Sequence, residues 1–291
     1  MSTIAAFIKR HALWTYYVLT VVISWGGVLI VAGPNRIPAT PDEFNSLFPL
    51  ALLGLLGGPA IAGLLVTLVV HGRAGLRELF SRLRTSRVGP RWYAVALLAA
   101  PLVMAAVPLA LSLAWPEYLP RIFTAADKVS LLAMGISAGL LGGFLEELGW
   151  TGFAIPEFRK ARSVLATGLI VGCLWGAWHI LMNIWSSGNS SRALATTLFL
   201  HSFIFSVGIL PAYRVLMVWV HDRTRSLLLA MLMHMALIVG NVLFVPGAIG
   251  EMPGPIWSLA TAVAMWIVGG GVLVANRGTL AARRQNEGRA S

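Results

Sequence analysis

Four ionisable residues interrupt stretches of sequence that are otherwise apolar. Glu146 and Glu147 are adjacent in the run FLEELGWTGF, and His179 and His234 follow in two later apolar runs. Ionisable side chains are costly in such surroundings and usually mark function. A carboxylate can take a proton from water as a general base, and histidines can bind a metal ion or stabilise an oxyanion. These residue types therefore predict hydrolytic chemistry, with helix packing alone as the structural alternative.

The composition indicates that these residues lie in a membrane protein. Of the 291 residues, 57% are hydrophobic and only 11% are charged, whereas an ordinary soluble domain has about 25% charged residues. So few charges cannot cover the surface of a soluble globule, and disorder requires the opposite composition. The net charge of +11 is spread over short segments between apolar runs. This distribution argues against nucleic-acid binding and favours a lipid bilayer as the surroundings of the chain.

Eight apolar runs are long enough to cross the hydrocarbon of a bilayer, which takes roughly 20 residues. They lie at about 12–32, 47–70, 92–115, 129–155, 163–185, 194–213, 226–245 and 255–275. The sixth run also fits a longer span that ends at Val220. The predicted fold is all-α: residues 1–291 form one polytopic domain, a bundle of about eight transmembrane helices with a polar intramembrane cavity.

The basic residues predict how the bundle is oriented. With the amino terminus inside, 18 of the 22 Lys and Arg residues fall in inside segments, which places both termini in the cytoplasm of a plasma-membrane protein. The count assigns Arg214 to an inside loop and residues 277–291 to a short basic cytoplasmic tail. Cys173, the only cysteine, lies in an apolar run and is predicted to be buried.

The inside segment 71–91 has a helical pattern of its own. Leu76, Leu79, Phe80 and Leu83 recur at helical spacing, and arginines lie between them. This pattern predicts an amphipathic helix on the anionic inner leaflet. A basic loop without helical structure is the alternative.

The motifs around the four ionisable residues resemble those of the CPBP family of intramembrane proteases, also called the Abi or CAAX-protease family. That family has Glu-Glu-x-x-x-Arg, Phe-x-x-x-His and His-x-x-x-Asn on successive membrane helices. EELGWTGF is similar to the first motif, WGAWH ends at His179, and the third motif begins at His234. The run RVGPRWY at 87–93 also looks like bacterial members. The resemblance covers roughly residues 71–245 and implies an endopeptidase that acts on a peptide or a membrane protein.

The resemblance also implies a role for each residue. Glu146 resembles the carboxylate that activates water, and Glu147 resembles its partner. His179 and His234 resemble the histidines of the second and third motifs. Two mechanisms stay open at this point: zinc held by His179, His234 and Glu146, or a metal-free reaction in which the histidines position the water and the oxyanion.

Three positions depart from the family pattern. Thr151 replaces the motif arginine and removes a cation from beside the carboxylates, Trp175 replaces a phenylalanine, and Ile238 replaces the motif asparagine. Asn183 and Asn241 are the nearby amides that we consider, with Thr151, as supporting residues. The departures leave two alternatives to a protease. One is an inactive family member that acts as an immunity, chaperone or scaffold protein. The other is a proton-coupled transporter, although the two matching halves common in transporters are absent from the sequence.

Overall fold

The structure, a computed structural model, describes residues 3–187, 192–247 and 253–275. Within these ranges the chain is helical, and an isolated β-bridge joins Pro120 to Pro246. In chain order the helices are α1 (Thr3–Arg10), α2 (Ala12–Ala32), α3 (Pro41–Leu83), α4 (Pro90–Ser112), α5 (Arg121–Thr124), α6 (Lys128–Gly149), α7 (Ile155–Arg159), α8 (Val164–Trp178), α9 (Ile180–Ser186), α10 (Arg192–Ile204), α11 (Leu210–Thr224), α12 (Leu227–Phe244) and α13 (Pro253–Ala275). The predicted basic tail at 277–291 lies outside the described residues.

Eight stretches of the described residues are long and apolar enough to span a membrane. They are Ala12–Ala32, Asp42–Leu83, Pro90–Ser112, Lys128–Arg159, Val164–Ser186, Ala195–Thr224, Leu227–Phe244 and Pro253–Ala275. The prediction of an all-α, multi-pass membrane bundle is confirmed. The sixth span continues beyond residue 213 to Thr224, and so agrees better with the longer alternative that ends at Val220.

Two of the spans contain a π-helical turn that precedes a proline. Trp150–Ala154 joins α6 to α7, and Phe205–Ile209 joins α10 to α11. A proline lacks the backbone N–H, and its ring clashes with the carbonyl four residues earlier. Pro156 and Pro211 place that clash inside the two turns, where the wider π turn accommodates it. The first turn begins three residues after Glu147 and carries Thr151.

Close packing of α6 on α12 brings the glutamates and a histidine together. Gly143 of α6 lies against the backbone of α12, and a Cβ added to it would be 2.6 Å from the carbonyl oxygen of Met231. Small residues that allow such an approach are typical of helix interfaces in membranes. Because the backbones touch here, Glu146 and Glu147 on the next turn of α6 lie beside His234 of α12.

The segment predicted as an amphipathic helix is helical but packs on the protein. Gly72 (φ 65°, ψ −163°) interrupts α3 in a conformation that favours glycine, and the helix then continues to its end at Leu83. Leu79 is fully buried and clusters with Leu148 of α6. Arg82 donates a hydrogen bond to the carbonyl of Gly152 at 2.8 Å. The apolar residue Leu79 therefore contacts the bundle, and contact of this segment with the inner leaflet stays a prediction.

Candidate active site

Glu147 is fully buried and is held by three hydrogen-bond donors. Nη1 of Arg214 donates to both of its oxygens, at 2.9 and 2.8 Å. Nδ1 of His234 lies 2.8 Å from Oε1, and the hydroxyl of Thr151 donates to Oε2 at 2.5 Å. A carboxylate with a cationic partner and two further donors is stabilised in its ionised form. Glu147 is therefore the fixed anion of the site.

Glu146 differs from its neighbour because only one of its oxygens is fixed. Oε2 accepts hydrogen bonds from the indole N–H of Trp175 at 2.7 Å and from that of Trp150 at 3.2 Å. Oε1 lies 3.7 Å from Nε2 of His234, and a Cβ added to Gly142 would also lie 3.7 Å from Oε1. The residue is 3% exposed. Oε1 is therefore the carboxylate oxygen available to take a proton.

His234 connects the two glutamates through its two ring nitrogens. Nδ1 contacts Glu147, and Nε2 points towards Oε1 of Glu146. Because an ionised carboxylate can only accept, we assign the ring proton to Nδ1, which leaves Nε2 of the neutral ring as an acceptor. Trp175 packs edge-on against the imidazole, with 4.9 Å between ring centroids, and so restrains its orientation. Two acceptors thus face the same small space beside Gly142.

His179 lies at the break between α8 and α9. Its backbone N–H bonds to the carbonyl of Gly176 at 3.2 Å, so the carbonyl of Trp175 is free to contact Nδ1 of the ring at 2.9 Å. The ring also packs edge-on against Trp178, with 4.8 Å between centroids. Among the described contacts, His179 makes no hydrogen bond or ion pair with either glutamate. The structure places it next to the tryptophans of the site rather than on the carboxylates.

The comparison with protein families concerns the same part of the chain. The family described as type II CAAX prenyl endopeptidase, Rce1-like, matches residues 128–240. The matched region is similar to that family. It contains both glutamates and both histidines, and the match confirms the resemblance to the CPBP, or CAAX-protease, family. No curated protein matches the chain.

Arg214 belongs to this site, although the count of basic residues assigned it to an inside loop. That count ended the sixth span near residue 213, whereas the longer alternative, which ends at Val220, includes residue 214. The span instead continues to Thr224, so Arg214 lies within it and is fully buried. Its guanidinium group lies over the ring of Trp175, 4.0 Å from the centroid. A single charge in the apolar run LPAYRVLMVWV was the signal that could have located it.

Two of the three departures from the family motifs have different consequences. The expectation that Thr151 leaves the carboxylates without a cation is wrong, because Arg214 supplies one from α11 and Thr151 adds a hydroxyl donor. At the second departure, Ile238 lines the site with an apolar side chain. A Cβ added to Gly142 would lie 2.8 Å from Cδ1 of Ile238. The site therefore has a cation beside Glu147 but no amide at position 238.

The two amides proposed as supporting residues have no described contact with the glutamates. Asn183 donates to Oγ of Ser206 at 3.3 Å and lines an apolar groove of about 220 Å³. Oδ1 of Asn241 is buried and has no hydrogen-bond partner in the described part of the chain. Cys173 lines the same groove as Asn183 and is exposed. The prediction that Cys173 is buried is wrong, because this face of α8 lies at the surface of the bundle.

The three side chains expected to bind zinc are not assembled as a ligand set in the described residues, and zinc stays a prediction. In the part of the chain that the structure describes, no group of three or more His, Cys, Asp or Glu side chains could hold one. Oε2 of Glu146 accepts from two indole N–H groups, and Nδ1 of His234 contacts Glu147, whereas Oε1 of Glu146 and Nε2 of His234 face each other as acceptors. His179 contacts neither carboxylate. The arrangement instead offers a free carboxylate oxygen beside an unprotonated ring nitrogen, which suits general-base chemistry.

Proposed function

We propose that this chain is an intramembrane endopeptidase in which Glu146 is the general base. The Rce1-like match supports a protease at the level of the family. The observation that carries the mechanism is the convergence of Oε1 of Glu146 and Nε2 of His234, which lie 3.7 Å apart. A water between these two acceptors would donate one hydrogen to each, at about 2.8 Å. Its lone pairs would then be free to attack a peptide carbonyl.

In this proposal Glu146 carries the proton through both steps of the hydrolysis. As the water oxygen bonds to the carbonyl carbon, Glu146 takes the water proton. When the carbon–nitrogen bond of the tetrahedral intermediate breaks, Glu146 passes the proton to the leaving nitrogen. One water and one peptide bond thus give a carboxylic acid and an amine. Trp175 and Trp150 keep Oε1 directed at the water because they bind the other oxygen.

We assign His179 a supporting role. Its Nδ1 contacts a backbone carbonyl and must therefore carry the ring proton, so Nε2 of the neutral ring has none. Such a nitrogen can help to hold water, and it can donate to an oxyanion once the ring is protonated. The proposal includes no step at a metal ion.

The substrate we propose is a peptide or a membrane-protein segment that reaches the site within the bilayer. We further propose a plasma-membrane location with both termini in the cytoplasm, since the basic residues other than Arg214 still lie mostly in inside segments. Topology reporters fused after Arg36 and after Arg87 test the orientation. We expect an outside signal at residue 36 and an inside signal at residue 87, and the reverse pattern would contradict the orientation.

Cleavage of a fluorogenic peptide tests the activity. The probe is a farnesylated peptide that ends in a CAAX sequence, with an unfarnesylated copy beside it, added to purified protein in liposomes. Mass spectrometry of the products should show hydrolysis of one internal bond, and a mock preparation from cells without the protein should show none. We expect EDTA and 1,10-phenanthroline to leave the rate unchanged. Inhibition that zinc reverses would contradict the metal-free mechanism.

One observation favours a second candidate function. Ile238 stands where the family motif has an amide, and it contacts the space beside Glu146. This is compatible with a family member that has lost catalysis and acts as an immunity, chaperone or scaffold protein. Under that function, neither form of the peptide is cleaved by the wild-type protein.

A further inference from the structure

We infer that Arg214 is a positioning residue: from α11 it replaces the cation missing at position 151, and through Glu147 it places the ring proton of His234 on Nδ1. Its predicted effect on kcat rests on the proposed function. Its predicted effect on the ring proton of His234 rests only on the contacts of Arg214.

The first argument concerns the charge of Glu147. This residue is completely enclosed, and Arg214 is its cationic partner at 2.8 Å, also with no exposed surface. Removing one member of a buried ion pair leaves an uncompensated charge and is strongly unfavourable. In the absence of Arg214, protonation of Glu147 would relieve that charge. The site would then be neutral at the position where Arg214 now keeps an anion.

The second argument follows the proton to His234. An ionised Glu147 accepts from Nδ1, so Nε2 is an acceptor that faces Glu146. A protonated Glu147 would donate its O–H to Nδ1 instead, and the ring proton would move to Nε2. Nε2 would then donate directly to Oε1 of Glu146 and would no longer accept from a water. Arg214 thus determines, through Glu147, whether Nε2 of His234 can accept from the proposed water.

The third argument is that Arg214 also supports the other glutamate. Its guanidinium group lies over the ring of Trp175. Of the two indole hydrogen bonds that Glu146 accepts, the one from Trp175 is the shorter. Nε and Nη2 of Arg214 have no hydrogen-bond partner among the described residues. The contact with the ring face therefore complements its ion pair. One cation thus positions the groups that hold both carboxylates.

The geometry allows the cation to be moved between helices as a test. Thr151 and Arg214 approach the same atom, Oε2 of Glu147, at 2.5 and 2.8 Å. Exchanging them with Thr151→Arg and Arg214→Thr together keeps the residue types and the total side-chain volume. Thr151→Arg alone would crowd two cations against one carboxylate, and Arg214→Thr alone would leave Glu147 without a cation.

The ring proton of His234 can be measured without any substrate. Nitrogen-15 spectra of histidine-labelled protein in micelles distinguish the two tautomers, and His234→Gln assigns the signal. We expect the proton on Nδ1 in the wild type, on Nε2 in Arg214→Thr and on Nδ1 again in the exchange variant. An unchanged tautomer in Arg214→Thr would overturn the inference. If Arg214→Thr does not fold, the exchange variant decides: a folded protein with the proton on Nδ1 supports the inference, and failure to fold overturns it.

Cleavage of the farnesylated peptide gives the kinetic readout. We expect Arg214→Thr to lower kcat by about 10- to 100-fold, the range found when partners that orient ligand side chains are removed. KM should stay unchanged because Arg214 is fully buried against Glu147 and Trp175. The exchange variant should recover most of the loss. The matched control is Arg159→Thr. It breaks the 3.1 Å ion pair between Arg159 and Asp222, which lies on α11 like Arg214, and it should leave kcat unchanged. An equal loss in the control, or no recovery in the exchange variant, would overturn the inference. A wild type that cleaves nothing would instead reject the proposed function, and the spectra would still decide the role of Arg214.

Discussion

Gly142 borders the space in which the proposed water binds, so one added methyl group tests that position. In Gly142→Ala the new Cβ would lie 3.7 Å from Oε1 of Glu146 and 4.0 Å from Nε2 of His234. A water on this side, with hydrogen bonds of about 2.8 Å to both atoms, would be only roughly 1 Å from that carbon. The methyl group and the water cannot both be present. We therefore expect the substitution to remove the water.

The cost of Gly142→Ala to the fold should be moderate. The closest contact of the new Cβ is with Cδ1 of Ile238 at 2.8 Å, which is inside the optimal carbon–carbon separation of about 3.5–4.0 Å. This atom is at the flexible end of its side chain, so rotation can relieve an overpacking cost of about 1–3 kcal/mol. Replacing glycine by alanine within a helix returns up to about 1 kcal/mol. The free energy of unfolding should fall by about 3 kcal/mol at most, whereas kcat should fall by about 100-fold or more.

The assay is kcat for the farnesylated peptide in liposomes, together with Tm in detergent. Gly135→Ala is the matched control, because it adds a Cβ to the same helix with its nearest neighbour, Cγ1 of Val242, at 3.4 Å. It should change neither quantity much. In the double variant Gly142→Ala with Ile238→Val, Tm should recover while kcat stays low. Full activity of Gly142→Ala would refute the position of the water, and an equal loss in Gly135→Ala would show only that α6 is sensitive to packing.

Two further predictions concern the partners of the site. Trp175→Phe removes the 2.7 Å hydrogen bond to Glu146. Hydrogen bonds to charged groups contribute about 1.5–3 kcal/mol, so kcat should fall by about 10- to 100-fold. Trp185→Phe is its control, since that buried indole N–H has no partner in the described residues; similar losses in the two variants would contradict the role of Trp175. Asn183→Ala removes the bond to Ser206 and should lower stability by about 0.6 kcal/mol, as for other interhelical bonds in membranes, with kcat unchanged. A large loss of kcat in Asn183→Ala would instead place this amide in the reaction.

The membrane spans were predictable because their length is set by the thickness of the bilayer. The first predicted run, 12–32, coincides with α2 (Ala12–Ala32), and the other runs differ from the helices mainly at their ends. The ends are less certain because a helix continues past the hydrocarbon wherever the protein itself covers it. This is how α3 extends beyond the predicted residue 70 to Leu83, with Leu79 buried against α6.

The pairing of charges within the site was not predictable in the same way. A count of basic residues treats every arginine near the end of an apolar run as a loop residue, so it misses an arginine that is paired inside the bundle. Arg214 is neutralised by Glu147, which lies 67 positions away in the sequence, and no local pattern encodes that contact. The proximity of Glu146, Glu147 and His234 followed from motif resemblance. The separate hydrogen bonding of His179 depends on a helix break that hydropathy does not reveal.

The central claim is that Glu146 is the base, and the most direct test is kcat of Glu146→Gln in liposomes. The substitution keeps the shape of the side chain and removes its ability to take a proton. Glu157→Gln is the same change at a carboxylate outside the site, where the partners are His71 and Lys160. With Tm showing that both variants fold, we predict that kcat falls by about 100- to 10,000-fold in Glu146→Gln and stays close to wild type in Glu157→Gln. A Glu146→Gln protein that keeps about a tenth or more of the wild-type kcat would contradict the claim.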